Sequence, residues 1–156
     1  MIDPSTTSTR FSQLIAALSR RTAHPLTAHD GLLVLVDAED TVQLVVELSD
    51  AGDGVAVVAR VMAIPAEDPG GALALRLLRF NADRASLEGA VIAADAVRRQ
   101  FVLILECPLD ADAEALAGRV EALMDLAAIV RSDAVGERSP GAGTAALLLR
   151  ASRSAR

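Results

Sequence analysis

The sequence predicts an α+β fold, with elements in the order α-β-β-β-α-β-β-α and an antiparallel sheet packed against helices. Three observations predict it. Apolar residues recur at helical spacing near both ends of the body, at Phe11, Leu14, Ile15 and Leu18 and again from Leu116 to Val130. Between them lie short apolar or alternating runs rich in Val. The breaks between most of these runs are tight turns, which favours antiparallel neighbours. With 156 residues, the chain is one domain of ordinary size with room for a core. Hydrophobic residues make up 52% and aromatic residues only 2%, so Ala, Val and Leu must build that core.

The first helix carries Phe11, Leu14, Ile15 and Leu18 at i, i+3, i+4 and i+7. Ser and Thr residues at positions 5 to 9 offer N-caps, Arg20 and Arg21 suit the C-terminal end of the dipole, and His24-Pro25 stops the helix. Leu32 to Asp37 is a strand, and Ala38-Glu39-Asp40 a turn. Thr41 to Leu48 alternates, with Val42, Leu44, Val46 and Leu48 on one face and Thr41, Gln43 and Glu47 on the other. Asp50-Ala51-Gly52-Asp53-Gly54 is a hairpin loop, and Val55 to Ile64 completes a meander.

Pro65 ends that strand, and Asp68-Pro69 reads as an N-cap followed by the first helical residue. Leu73, Leu77 and Phe80 form the stripe of this second helix, widened by Ala74 and Leu78. Ser86 to Ala93 and Phe101 to Cys107 read as strands, the second closed by Pro108. Asp110 or Asp112 caps the last helix, whose stripe is Leu116, Val120, Leu123, Ala127 and Val130. The body is residues 1–133. The segment 134–156 reads as a disordered basic tail, with a breaker cluster at Ser139-Pro140-Gly141-Ala142-Gly143 and a weaker helical turn at Leu147 to Leu149.

Charge divides the same way. Residues 1–133 carry 20 acidic residues against 11 Arg, a net of −9, while the tail has four Arg and one Glu, a net of +3. An acidic body repels phosphates, so nucleic acid is not an expected partner, whereas a basic one is compatible. The N-terminus lacks the basic-then-apolar pattern of a signal peptide, and no apolar run nears the ~18–20 residues of a membrane span. A cytoplasmic chain with no membrane partner is the expectation.

The residues hold no catalytic constellation. His24 and His29 lie in a loop with only Asp30 near them, too few ligands for a metal site. Cys107, the single cysteine, sits in an apolar strand pattern and reads as a buried inert thiol. The loop from Asp50 to Gly54 lacks the ligand spacing of a calcium site, and the Pro140-to-Thr144 stretch lacks the Lys-Ser/Thr of a phosphate loop. No enzyme, no cofactor and no metal are expected. Apolar residues are in surplus instead. The strands Val55 to Ile64 and Phe101 to Cys107 are apolar on both faces except at Arg60 and Glu106. Two readings of that surplus stand: a generous core, or a dimer seam with exposed grooves for a partner.

The residues Leu77-Leu78-Arg79-Phe80-Asn81, Leu87-Glu88-Gly89-Ala90, Asp95, Phe101-Val102-Leu103 and Pro108-Leu109, followed by the helix from Leu116 to Val130, come in an order that resembles class I type III secretion chaperones, the Tir-chaperone family. The resemblance covers about residues 8–133. Departures are a turn at Asp95 to Gln100 without Gly, a last helix without a terminal aromatic, and the tail.

The resemblance implies a homodimer that binds the extended N-terminal segment of one secreted effector without ATP and keeps it competent for export. It places the seam at Leu73, Leu77, Leu78, Phe80, Leu87 and Val91. It places effector contacts at Phe11, Leu14, Ile15, Leu18, Leu33, Leu35, Val102 and Ile104. The alternative implied by the fold is a regulatory or binding protein with no secretion client.

Overall fold

The structure, a computed structural model, describes residues 4–136 apart from 50–52, 69–70 and 84. The N-terminal residues 1–3, the tip of the hairpin loop, Pro69 and residues 137–156 of the expected tail lie outside the described residues, whereas Ala134, expected in that tail, is the buried last residue of the final helix. The elements are α1 (Pro4–Thr22), β1 (Leu32–Val36), β2 (Val42–Leu48), β3 (Gly54–Ala63), α2 (Ala72–Arg79), β4 (Val91–Asp95), β5 (Gln100–Pro108) and α3 (Ala113–Ala134). This is the order expected from the sequence. The five strands form one antiparallel sheet in the order β1-β2-β3-β5-β4. α1 and α3 pack on each other, and α3 lies across β3 and β5.

Strand alternation sends one set of side chains beneath these helices. Leu44, Val46, Val57, Ala59 and Leu103 are buried there with Phe11, Leu14 and Leu18 of α1 and Leu116, Val120, Leu123, Ala127 and Val130 of α3. The α3 stripe is wider than its spacing suggested, since Ala117, Leu126 and Ala134 are also buried. Asp112 caps α3 by accepting from the Ala115 amide at 3.0 Å, which settles the choice between it and Asp110. Three ion pairs among the described residues tie α1 to α3 at the surface: Arg20 with Glu114, Arg21 with Glu121 at 2.7 Å and Arg21 with Glu114 at 3.9 Å.

Three local expectations are corrected. α1 starts at Pro4, so Ser8 and Thr9 lie inside it rather than capping it, and Ser12 Oγ donates to the Ser8 carbonyl at 2.9 Å. α2 starts at Ala72, later than Asp68-Pro69 suggested. Asp68 nevertheless serves its N-terminus: its carboxylate accepts from the Leu73 and Ala74 amides at 3.0 and 3.1 Å. The third correction is Ser86 to Gly89, which form a turn and not the start of a strand. Glu88 and Gly89 both have positive φ, 52° and 87°, which extended pairing does not allow. Asp83 holds that turn by accepting from the Ser86 amide and hydroxyl.

Asp37 organises the β1–β2 turn. One of its oxygens accepts from the Glu39 and Thr41 amides, each at 2.9 Å, and the other from Gln43 Nε2 at 2.6 Å. Those bonds hold its carboxyl below the usual range, the Thr41 amide contributing most. At the far end of the sheet Gly54 crosses close to β5. A Cβ there would stand 2.9 Å from the Cys107 carbonyl, so the close approach needs glycine.

Candidate functional site

Among the described residues, three apolar surfaces remain after the core is built. The first is a groove of about 770 Å³ between α1 and the loop that follows it, lined by Phe11, Ile15, Ser19, Leu26 and Ala28 among others. The loop is fixed by a hydrogen bond from the Leu26 amide to Ser19 Oγ at 3.0 Å. Beside it runs β1, an edge strand. The Leu32 amide and carbonyl exchange hydrogen bonds with His29, away from β2. By alternation the Val34 backbone groups face outward in the same way, as an extended peptide would need.

The second surface is the sheet face that α1 and α3 do not cover. Val34 pairs with Val45, Val45 with Val58, Val58 with Ile104 and Ile104 with Val91. Directly paired residues share a face, so these five side chains form one apolar row across all five strands. Val34 and Val91 are 42% and 39% exposed, and the three between them are half-buried. The next row carries Leu32, Glu47, Ala56 and Glu106. On the other side Arg60 pairs with Val102. Arg60 Nε is shielded from water and has no acceptor among the described residues.

The third surface is α2 with the start of β4, where Leu75, Leu78 and Val91 are 58%, 47% and 39% exposed. Asn81 joins the two elements. Its amide donates to the Ile92 carbonyl at 3.0 Å and accepts from the Ile92 amide at 2.7 Å, so it occupies part of the β4 edge. Arg76 reaches from α2 to the Ala134 carbonyl at the end of α3, at 2.7 Å.

The residues assigned from the resemblance fall unevenly on these surfaces. Phe11 and Ile15 line the groove, though each keeps little exposure, and Ile104 lies on the open row. Leu35 is half-buried on the helix-covered side, opposite Leu44. Leu14, Leu18, Leu33 and Val102 are interior, at 2% exposure or less. Of the seam set, Leu78 and Val91 are exposed, Leu73 and Phe80 half-buried, and Leu77 and Leu87 interior at 0% and 1%. Sequence reasoning did not assign Leu75, Val34, Val45 or Val58 to any site. The signal was present in β2: Val45 is the apolar residue that interrupts the polar face of Gln43 and Glu47.

Chemistry has little to work with. His24 is exposed and its Nδ1 donates to the Thr22 carbonyl at 2.6 Å, while His29 is exposed in the same loop. Cys107 is 3% exposed, and burial pushes its thiol pKa up, which disfavours the reactive thiolate. Among the described residues, no group of three or more His, Cys, Asp or Glu side chains could hold a metal ion, and no helix is long and apolar enough to cross a membrane.

A half-covered sheet, an open edge and an exposed apolar helix define a protein that docks other chains. The comparisons specify the class. Residues 13–131 match the model of the Tir chaperone protein (CesT) family, and the chain belongs to that family. No curated protein sequence matches.

Solved structures share the fold. A chain of the ExsC–ExsE complex aligns with a TM-score of 0.65 and 18% identity, over 83% of this chain and 95% of that one. A chain of the HopA1–SchA chaperone–effector complex aligns with a TM-score of 0.58 and 15% identity, over 85% and 99%. A chain of the heterodimeric ExoU–SpcU complex from the type III secretion system of Pseudomonas aeruginosa aligns with a TM-score of 0.54 and 24% identity, over 75% and 93%.

Proposed function

We propose that this chain is a dimeric, ATP-independent type III secretion chaperone. It holds the extended N-terminal segment of one effector in the cytoplasm and keeps it ready for export. The observation that carries the reading is the match to the Tir chaperone family over most of the body. Related folds occur in chaperone–effector complexes, which supports an effector as partner. The apolar row over five strands supplies what such a client needs: a preformed platform, so that ordering falls on the client alone.

Two of the three surfaces suit the client. The α1 groove takes apolar anchors through Phe11 and Ile15. The open row, with Ile104 at its fourth position, offers apolar contact to the client, and the outer edge of β1 offers backbone groups with which an extended segment can pair. Leu14, Leu18, Leu33, Leu35 and Val102 support these surfaces from beneath or beside them. The third surface suits the second copy. Leu75, Leu78 and Val91 lie at the seam, with Leu73 and Phe80 at its margin and Leu77 and Leu87 holding α2 and the turn in place.

The experiment is capture from native lysate with the full chain as bait, followed by limited proteolysis. A single partner protected within its first ~100 residues is the expected result. A partner held through a folded domain, with its N-terminus cut as fast as when free, contradicts the reading.

A further inference from the structure

The open sheet face changes character along the strands. Ala56, Val58 and Arg60 occupy alternate positions of β3 and so point the same way. Val58 lies between Val45 and Ile104 in the apolar row, and Ala56 lies between Glu47 and Glu106 in the next. Both carboxylates are exposed. The face is thus acidic on one side of the apolar row and cationic on the other. Ala56 and Arg60 are four residues apart in the strand, a separation of about 13 Å.

Neither sign is met from within. Among the described residues Glu47, Glu106 and Arg60 take part in no ion pair. Asp37 feels the Arg60 charge only weakly, as the last of the causes that hold its carboxyl down. Its oxygens are already taken by the Glu39 and Thr41 amides and by Gln43 Nε2. Arg60 Nε is shielded from water and has no acceptor among the described residues. Shielding a donor of a charged group without an acceptor is costly, and a guanidinium offers a planar fork that a carboxylate matches.

The occupant that fits carries the opposite pattern. An extended segment repeats its sheet-facing side chains at i, i+2 and i+4, with the same spacing as Ala56, Val58 and Arg60. A basic residue, an apolar one and an acidic one at those positions would meet the three rows in turn. A second copy of this chain fits less well. Residues 1–133 carry 20 acidic residues against 11 Arg, so two such bodies repel, whereas a client segment brings no acidic body with it.

We propose that the open face selects client segments in which an apolar residue has an acidic residue two positions to one side and a basic residue two positions to the other. The apolar side chain lies on Val58 between Val45 and Ile104, the carboxylate takes the fork of Arg60, and the basic group lies against Glu47 and Glu106. Arg60 is then the specificity-determining residue, the point at which an acidic body accepts a carboxylate. That the occupant is an export client rests on the proposed function; the charge pattern is tested without one.

The test titrates synthetic peptides into the full chain and follows its methyl signals. One peptide holds the core Arg-Thr-Val-Thr-Glu between Gly-Ser ends; in the other, Gln replaces the Glu. Against an acidic body, net charge alone favours the Gln peptide. The expected result is the opposite: the Glu peptide binds about three- to tenfold tighter, because its carboxylate meets a charged donor. Val45, Val58 and Ile104 should shift, while Leu26 of the α1 groove does not. Arg60→Gln should abolish the preference and Arg60→Lys should keep part of it, with unchanged Val57 and Leu103 signals showing that each variant is folded. Equal binding of the two peptides, a preference that survives Arg60→Gln, or shifts centred on the groove overturns the proposal. So does the absence of any shift at Val45, Val58 and Ile104 at about millimolar peptide. A change in the sedimentation of the peptide-free chain on Arg60→Gln also overturns it, because a second copy is then the occupant. No native client is present, so failure here leaves the chaperone reading untouched.

Discussion

The two faces of the sheet are built from the same residues and have opposite fates. Val57 and Val58 are consecutive in β3, yet Val57 is fully buried under α3 while Val58 stands half-buried on the open row. Leu103 and Ile104 divide in the same way in β5. Strand alternation fixes which residue goes where, and only the covering helices distinguish the faces. One face spends its apolar area on stability. The other leaves it uncovered, as the proposed chaperone platform would need.

Substitutions across that division should separate stability from binding. The largest effect on stability belongs to the covered face. Leu103→Ala leaves a cavity among fully buried neighbours and should cost about 2–5 kcal/mol in chemical denaturation. Leu78→Asp should leave the fold intact, because the side chain is 47% exposed, and should convert the proposed dimer to monomer in sedimentation. Leu77→Asp is the wrong probe for the same seam: Leu77 is 0% exposed, and a carboxylate there unfolds the chain. Val58→Asp should abolish capture of the partner while shifting stability by about 1 kcal/mol or less. Loss of the fold in that variant would show that the open row is core.

The smallest effect is a pH dependence outside both faces. Asp37, Asp83 and Asp95 have lowered pKa values, held down mainly by the Thr41 amide, the Ser86 hydroxyl and the Arg98 amide respectively. A carboxyl with a depressed folded value stabilises the protein above its unfolded pKa of about 3.9. That stabilisation is lost as pH falls through the folded values. Thermal melts from pH 6 downward should therefore hold steady until about pH 4 and then drop. Asp37→Asn should flatten part of the drop.

Most of the fold was legible because it depends on period and punctuation. The α3 stripe, the β2 alternation and the breaks between strands each imply one local structure. The turn from Ser86 to Gly89 was not, because Leu87, Ala90 and Ile92 look like strand residues, and the left-handed pair Glu88-Gly89 shows only in the backbone. The burial of the expected contact residues was less legible for a related reason. Apolar residues in a stripe look alike whether they meet the chain's own core or a partner. Leu14, Leu18 and Leu33 are in the core, and the uncovered apolar row falls to Val34, Val45 and Val58. Only the cross-strand register reveals that row, since its members come from different strands.

Hydrogen exchange on the protein with and without its captured partner tests the central claim most directly. The account predicts slower exchange at Val34 on the outer edge of β1 and in the loop from Pro25 to Gly31 beside α1, with the amides of α3 unchanged. Partner binding that leaves β1 and this loop unprotected, or that protects α3 instead, would contradict it.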